Sequence, residues 1–268
     1  MKKMQLAARW VLVTGASSGL GEEMARQLAQ EYRANLILVA RRADRLQALA
    51  SRLESSAGIK CRVIAADLSV PADVERVYAE AMAVGSVQAV ILNAGITHFG
   101  AHLEMPWTQF QTLLATNVTS VVRLATLFAP PLAALPQKGG IMVVSSMAGL
   151  LPVPYQSAYA GSKAFVTNFS LGLGQELRDD GVSVTVFSPG GIDTDMTRNS
   201  RLRYFENTVL LQDVVSCARE GLGAMVERRA LHVPGALNRT QLFFSRFVPR
   251  STVAQIARSA YRKALAAN

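Results

Sequence analysis

The chain has 268 residues, half of them hydrophobic and 18% charged, a composition that fits a globular protein with a sizeable core, not a disordered one, and allows one large α/β domain or two small ones. Lys and Arg number 28 against 19 Asp and Glu, a formal net charge of +9, which calls for an anionic partner: nucleic acid, a membrane surface or a phosphate-bearing cofactor. The cations are scattered, with local concentrations at Arg41–Arg42, Arg198–Arg203 and Arg246–Arg262 and no long basic run, so a phosphorylated small molecule is preferred to nucleic acid.

In chain order, the start "MKKMQLAARWVLV" has the lysines and apolar run of a signal peptide. A glycine-rich loop follows at once and uses that run as its leading strand, so the segment reads as the first strand of the fold. Further short apolar runs are "NLILVA" (35–40), "CRVIAA" (61–66), "AVILN" (89–93), "IMVVSS" (141–146) and "VSVTVF" (182–187). Most are apolar throughout, the pattern of strands covered on both faces of a parallel sheet. Amphipathic helices alternate with them; Leu20, Met24 and Leu28 mark one and Leu46, Leu49 and Leu53 another. The alternation predicts a single-domain, Rossmann-type doubly wound sheet flanked by helices, with ligands bound at the carboxyl ends of the strands. Residues 1–235 form the expected dinucleotide-binding and catalytic domain, with a substrate segment at about 191–228. A basic, aromatic tail, 236–268, forms a helical extension packed on it. No apolar segment is expected to span a bilayer, and Cys61 and Cys217, distant from each other, read as buried free thiols of a cytoplasmic protein.

"VLVTGASSGLGEEMARQLA" is a strand, a loop with Gly15, Gly19 and Gly21, and a helix. Glycines there let backbone N–H groups approach a pyrophosphate at a helix N-terminus. After the second strand come Arg41 and Arg42, with no acid before Asp44. An acid there would hold a ribose 2′-hydroxyl; guanidinium groups suit a 2′-phosphate, so NADP(H) is expected over NAD(H).

"TGASSGLG" (14–21), "ADL" (66–68), "NAG" (93–95), Asn117, "VVSSMAG" (143–149), "YAGSK" (159–163) and "PGGIDT" (189–194) together resemble the short-chain dehydrogenase/reductase family, in its order and spacing. The resemblance implies interconversion of a ketone or aldehyde and an alcohol by hydride transfer, with Tyr159 as general acid/base. It also implies that Lys163 stabilises the phenolate and holds the nicotinamide ribose, that Ser146 orients the substrate oxygen, and that Asn117 holds a water relaying protons to the lysine. Ser145 should point to the other side of its strand. Carried over in the same way, Gly15, Ser17, Ser18, Gly19, Leu20 and Gly21 cradle the pyrophosphate, and Asp67 and Leu68 flank the adenine. Asn93, Ala94 and Gly95 line the cofactor near its ribose; Pro189, Gly190, Ile192 and Thr194 close over the carboxamide. Ser18 stands where many NADP(H) members have a second basic residue, which leaves the preference to Arg41 and Arg42.

No metal site is expected: His98 and His102 lack a third ligand. Phe128 reads as core and Pro130–Pro131 as a helix end. Apolar residues on the long helix (Leu113, Leu114, Val118, Val121, Val122, Leu124) and on the next (Phe165, Phe169, Leu173) imply a homodimer or homotetramer. For the tail, packing on its own domain carries the most weight; lying on an acidic membrane, covering the substrate site or forming an oligomer contact stay open. The competing function is a dinucleotide-binding regulatory protein without catalysis. The substrate class stays open among 3-oxoacyl, steroid-type, aromatic and β-hydroxy acid compounds.

Overall fold

The computed structural model describes residues 2–192 and 211–266. Six strands follow the apolar runs: β1 (Trp10–Thr14), β2 (Asn35–Ala40), β3 (Cys61–Ala65), β4 (Val87–Leu92), β5 (Gly140–Val144) and β6 (Ser183–Phe187). They alternate with α1 (Gly19–Gln30), α2 (Ala43–Ala57), α3 (Pro71–Val84), α4 (Trp107–Leu114), α5 (Ser120–Ala134) and α6 (Ser157–Glu176). A short pair, β7 (Gly191–Ile192) and β8 (Leu211–Gln212), stands apart; α7 (Val214–Val226) and β9 (Leu231–His232) follow, then the tail helices α8 (Ala236–Ser245) and α9 (Arg250–Ala266). The main sheet has the order β3-β2-β1-β4-β5-β6-β9, every pairing parallel.

The pleat divides the core into two layers. Val11 and Val13 of β1, with Leu36 and Leu38 of β2, meet Met24, Leu28, Leu46 and Leu222 of α1, α2 and α7. Their neighbours Leu12, Ile37 and Val39 face the other way and meet Val77, Leu124, Phe128 and Val166 of α3, α5 and α6. Strands with both faces covered have no room for polar alternation, which is why they read as continuous apolar runs. Parallel pairing brings all the carboxyl ends to one edge, where the glycine loop, Arg41–Arg42, Asp67, Asn93, Ser145–Ser146 and Pro189 sit in succession.

Three details depart from the sequence reading. Pro130 and Pro131 lie inside α5, which runs on to Ala134 because Ala129 and Leu132 remain anchored in the core. The stretch Trp107–Ala134 is long and apolar enough to cross a membrane, at mean hydropathy 1.4, yet half of that window is buried in the protein. Cys61 is half-buried, unlike the fully buried Cys217; burial pushes both thiols up to about 12.

The tail is fixed at its root by Glu220 of α7. Its carboxylate accepts from Gly235 N, His232 Nε2 and Arg239 Nη1, all at 3.1 Å, and from Gln212 Nε2 at 3.0 Å. Burial works to raise its pKa; the four donors overcome this and hold it below the ordinary carboxylate range.

Candidate active site

The loop after β1 is shaped by what a side chain would strike. Gly15 (φ +69°) and Gly19 (φ +56°) adopt the left-handed conformation that favours glycine. A Cβ on Gly15 would lie 2.8 Å from Asn93 Nδ2, and one on Gly21 would lie 2.5 Å from the same atom and run into Gly15 O. Asn93, at the end of β4, holds the turn by donating Nδ2 to Thr14 O at 3.0 Å, while Thr14 Oγ1 accepts from the backbone N–H groups of Asn93 (2.9 Å) and Ala94 (3.0 Å). Val39 O accepts from Gly15 N at 2.7 Å. The result is a rigid concave turn at the start of α1.

Arg42 lies across this loop. Its Nη2 donates to Ser17 Oγ at 2.9 Å and Ser18 Oγ at 2.8 Å, and its Nε to Ser17 Oγ at 3.2 Å. The partner of a would-be loop cation is thus Ser18 itself. Arg41 is exposed and makes no hydrogen bond among the described residues. At the next strand end, Asp67 Oδ1 accepts from Ser69 N (2.9 Å) and Ser69 Oγ (2.8 Å), and Leu68 is buried beside it.

Across the strand ends, α6 supplies Tyr159 and Lys163 one turn apart, with the lysine Nζ 5.9 Å from the tyrosine ring centroid. Lys163 is 4% exposed; its Nζ donates to Val144 O at 2.8 Å, and burial lowers its pKa to about 8. Burial raises the pKa of Tyr159, and the Ser146 hydroxyl beside it pulls the other way. Ser146 Oγ accepts from Ala148 N at 3.1 Å, capping a single 3₁₀ turn, Met147–Gly149. Ser145 points away, as strand alternation requires: its Oγ donates to Lys163 O at 3.0 Å and meets Thr167 Oγ1 at 2.7 Å, fastening α6 to β5.

Asn117 is fully buried in a π turn, Ala115–Thr119, between α4 and α5. The extra residue of such a turn breaks the regular ladder and marks functional sites elsewhere. Its Oδ1 accepts from Ile96 N and its Nδ2 donates to Ile96 O, both at 2.9 Å, with Ser162 Oγ as a further acceptor at 3.1 Å. A Cβ on Gly95 would lie 3.3 Å from Lys163 Nζ and 3.4 Å from Asn117 Oδ1, so glycine at 95 is what lets these groups converge.

Several site neighbours carry no sequence signal. The segment before α6 turns at Tyr155, a non-glycine residue at φ +66°, whose carbonyl accepts from Gly100 N at 2.9 Å. Buried Gln156 donates to Thr97 Oγ1 at 3.1 Å. Between these ties sits Phe99, and on it packs Tyr261 of α9, ring centroids 5.4 Å apart. Burial raises the Tyr261 pKa, and the electrostatic influence of Tyr159 adds to it, so the tail reaches the rim of the site. Asn238 of α8 presses on Gly190: a Cβ there would meet its amide at 2.9 Å. Pro189 O accepts from Met147 N at 2.8 Å. Ile192 lies in β7; Thr194 and most of the 191–228 substrate segment's first half lie outside the described residues. A groove of about 380 Å³ beside α6, walled by Leu151, Pro152, Val153, Pro154, Gly161 and Arg250, does not include Tyr159 or Ser146 in its lining. His102 stacks edge-on with Phe110, and among the described residues no three His, Cys, Asp or Glu are grouped to hold a metal.

A glycine-rich turn and a Ser-Tyr-Lys-Asn cluster on one strand edge accord with what sequence comparison finds: the short chain dehydrogenase family model matches residues 9–204. The chain belongs to that family. Among its relatives, a very-long-chain 3-oxoacyl-CoA reductase of Podospora anserina is 36% identical over 206 residues, 75% of this chain and 60% of that protein. The 17-beta-hydroxysteroid dehydrogenase type 3 of Homo sapiens is 30% identical over 220 residues, 80% of this chain and 67% of that protein. The chain thus spans about 60% of the length of the reductase it matches. A short-chain dehydrogenase from Sphingobium yanoikuyae, solved in complex with NADPH, superposes with a TM-score of 0.78 at 30% identity, covering 89% of this chain and 93% of that one.

Proposed function

We propose that the protein is an NADP(H)-dependent oxidoreductase interconverting a ketone or aldehyde with an alcohol. The observation that carries this reading is the convergence of Lys163 and Asn117 on Gly95, with Tyr159 beside Lys163 and Ser146 beside Tyr159, on the same strand edge as a loop whose close packing on Asn93 leaves no room for a Cβ at Gly15 or Gly21. The residues fit a dinucleotide: the loop N–H groups and the α1 N-terminus suit a pyrophosphate, and Arg42 with Arg41 suits a 2′-phosphate. When bound, the nicotinamide supplies or accepts the hydride.

The chain's own residues do the rest. Ser146 Oγ donates to the substrate oxygen and stabilises the charge that develops there, already held in place by Ala148 N. Tyr159 gives its proton to that oxygen in reduction and takes it back in oxidation. Its phenol, raised by burial, holds its proton at neutral pH and is suited to the acid role. Lys163 below pH 8 is a buried cation, and a cation beside the phenol favours the phenolate left after proton transfer. Asn117 fixes the Gly95–Ile96 backbone against Lys163.

The relatives named for 3-oxoacyl-CoA and steroid substrates support ketones on large apolar skeletons. A reducing, cytoplasmic setting accords with two free thiols. A homodimer through α5 and α6 also belongs to this reading. Leu113, Val121 and Leu124 are consumed by the chain's own core, but Phe165 is 52% exposed, stacks on Phe169, and has open space over Gly161 and Gly172 nearby. An active monomer in light scattering would remove the dimer from the reading.

The test is NADPH oxidation with acyl, steroid-type and aromatic ketones, and NADP reduction with alcohols and β-hydroxy acids. Turnover with NADPH preferred over NADH is expected. Tight cofactor binding without turnover of any substrate would leave a dinucleotide-binding protein.

A further inference from the structure

The tail has two properties that a helix packed on its own domain does not need. After Glu227 the sequence contains seven arginines, one lysine and no acidic residue. Arg228 and Arg239 turn inward, to Lys138 O and Glu220, but Arg246, Arg250, Arg258 and Arg262 form no ion pair among the described residues.

The second property is the orientation of α8. Its Asn238 is buried against Gly190, so this side faces the body, while Arg239 reaches Glu220 from the flank. At about 100° per residue, Phe243 and Phe244 lie about 140° and about 120° round from Asn238, on either flank of the far side, with Leu237 next to Phe244 and Phe247 following just beyond the helix. Leu237, Phe243, Phe244 and Phe247 are 51%, 53%, 61% and 73% exposed. The Phe243 ring packs edge-on against those of Phe244 and Phe247, with centroids 5.5 and 5.4 Å away. A helix on a water-facing surface keeps this side polar; α8 turns its apolar side out. Ile256 of α9, 64% exposed, adds to the apolar surface of the tail.

We propose that α8 and α9 form a docking surface for an anionic lipid bilayer, with the aromatic arc entering the headgroup region and the unpaired arginines meeting lipid phosphates. An outward apolar face flanked by cations is the arrangement of a helix that lies in a membrane interface. Charge favours lipid over a second copy of the chain, because a second copy brings a net charge of +9 and its own acid-free tail. Aliphatic Leu237 and Ile256 suit acyl chains. The cytoplasmic leaflet, negative at its surface, is the natural counterpart of the tail's charge.

The test is co-sedimentation of the full-length protein with vesicles of phosphatidylcholine alone and of phosphatidylcholine with phosphatidylglycerol. Binding to the anionic vesicles, weakened by added salt, is expected. Phe243→Ser, Phe244→Ser and Phe247→Ser combined should weaken it roughly tenfold or more. Arg246→Gln and Arg258→Gln should each weaken it about fivefold. All these side chains are exposed, so thermal unfolding and NADPH binding should stay as in the wild type, which separates loss of docking from loss of fold. Absence of binding to anionic vesicles, or equal binding by the triple serine variant, would overturn the proposal. So would a triple variant that merely lowers the oligomer mass of a protein that ignores vesicles, since the arc would then be a contact between copies.

Discussion

Replacing Arg42 with alanine separates two roles that one guanidinium would play. In the structure it braces the glycine loop, donating to Ser17 Oγ and Ser18 Oγ at 2.9 and 2.8 Å. In the proposed complex it would also meet the 2′-phosphate. A hydrogen bond to a charged group contributes about 1.5–3 kcal/mol, so losing the phosphate contact should raise the Michaelis constant for NADPH about 10- to 150-fold. Arg42 is exposed, so added salt should raise the wild-type constant for NADPH and bring the effect of the substitution toward the lower end of that range. The brace is shared by both cofactors, and two neutral hydroxyl acceptors on an exposed arginine leave NADH affected only a few-fold. The assay is steady-state kinetics with each cofactor at saturating substrate, for Arg42→Ala, Arg41→Ala and the double variant. An equal rise for NADH and NADPH would make Arg42 a loop brace only. A wild-type enzyme that prefers NADH would refute the phosphate assignment before any substitution.

Gly21→Ala should lower affinity for both cofactors about tenfold or more and destabilise the fold by ~1–3 kcal/mol, because the new methyl would strike Asn93 and Gly15 O. Gly223→Ala in α7, with nothing within 4 Å, should instead stabilise by about 0.5–1 kcal/mol in thermal unfolding. Lys163 provides a pH test: its folded pKa is lowered to about 8, so the folded state resists its charge. That penalty is complete below about pH 8 and disappears above the unfolded value near 10.4, so Lys163→Met should gain most over wild type in melting temperature at neutral pH and lose the advantage by about pH 10. The wild-type reduction rate should fall above about pH 8 as Lys163 loses its proton; a rate that climbs through that range would contradict the role given to its charge.

The central strands were legible because burial on both faces leaves unbroken apolar runs, and parallel pairing then put every motif on one edge. β9, two residues long, has no such run to betray it. The π turn at Asn117 left no mark either, since its cause is the fit of one side chain to the Ile96 backbone and not local propensity. The loop-borne Ser18 looked like a missing cation, yet space brings Arg42 to that place from 24 positions away. Tyr261 was out of reach altogether: its meeting with Phe99 joins distant parts of the chain that no local pattern connects. The orientation of α8 likewise depends on Glu220 and Gly190, residues outside the helix itself.

Turnover of Tyr159→Phe, measured beside Tyr155→Phe with NADPH affinity determined for each, tests the proposed chemistry most directly. The two hydroxyls belong to the same segment, but only Tyr159 stands by Ser146 and Lys163, while Tyr155 serves the turn before α6 through its backbone. Tyr159→Phe should lose about 100- to 10,000-fold in kcat with NADPH affinity kept, and Tyr155→Phe should change kcat little. Comparable losses in both variants, or a Tyr159→Phe enzyme that still turns over at the wild-type rate, would contradict Tyr159 as the acid and base of the reaction.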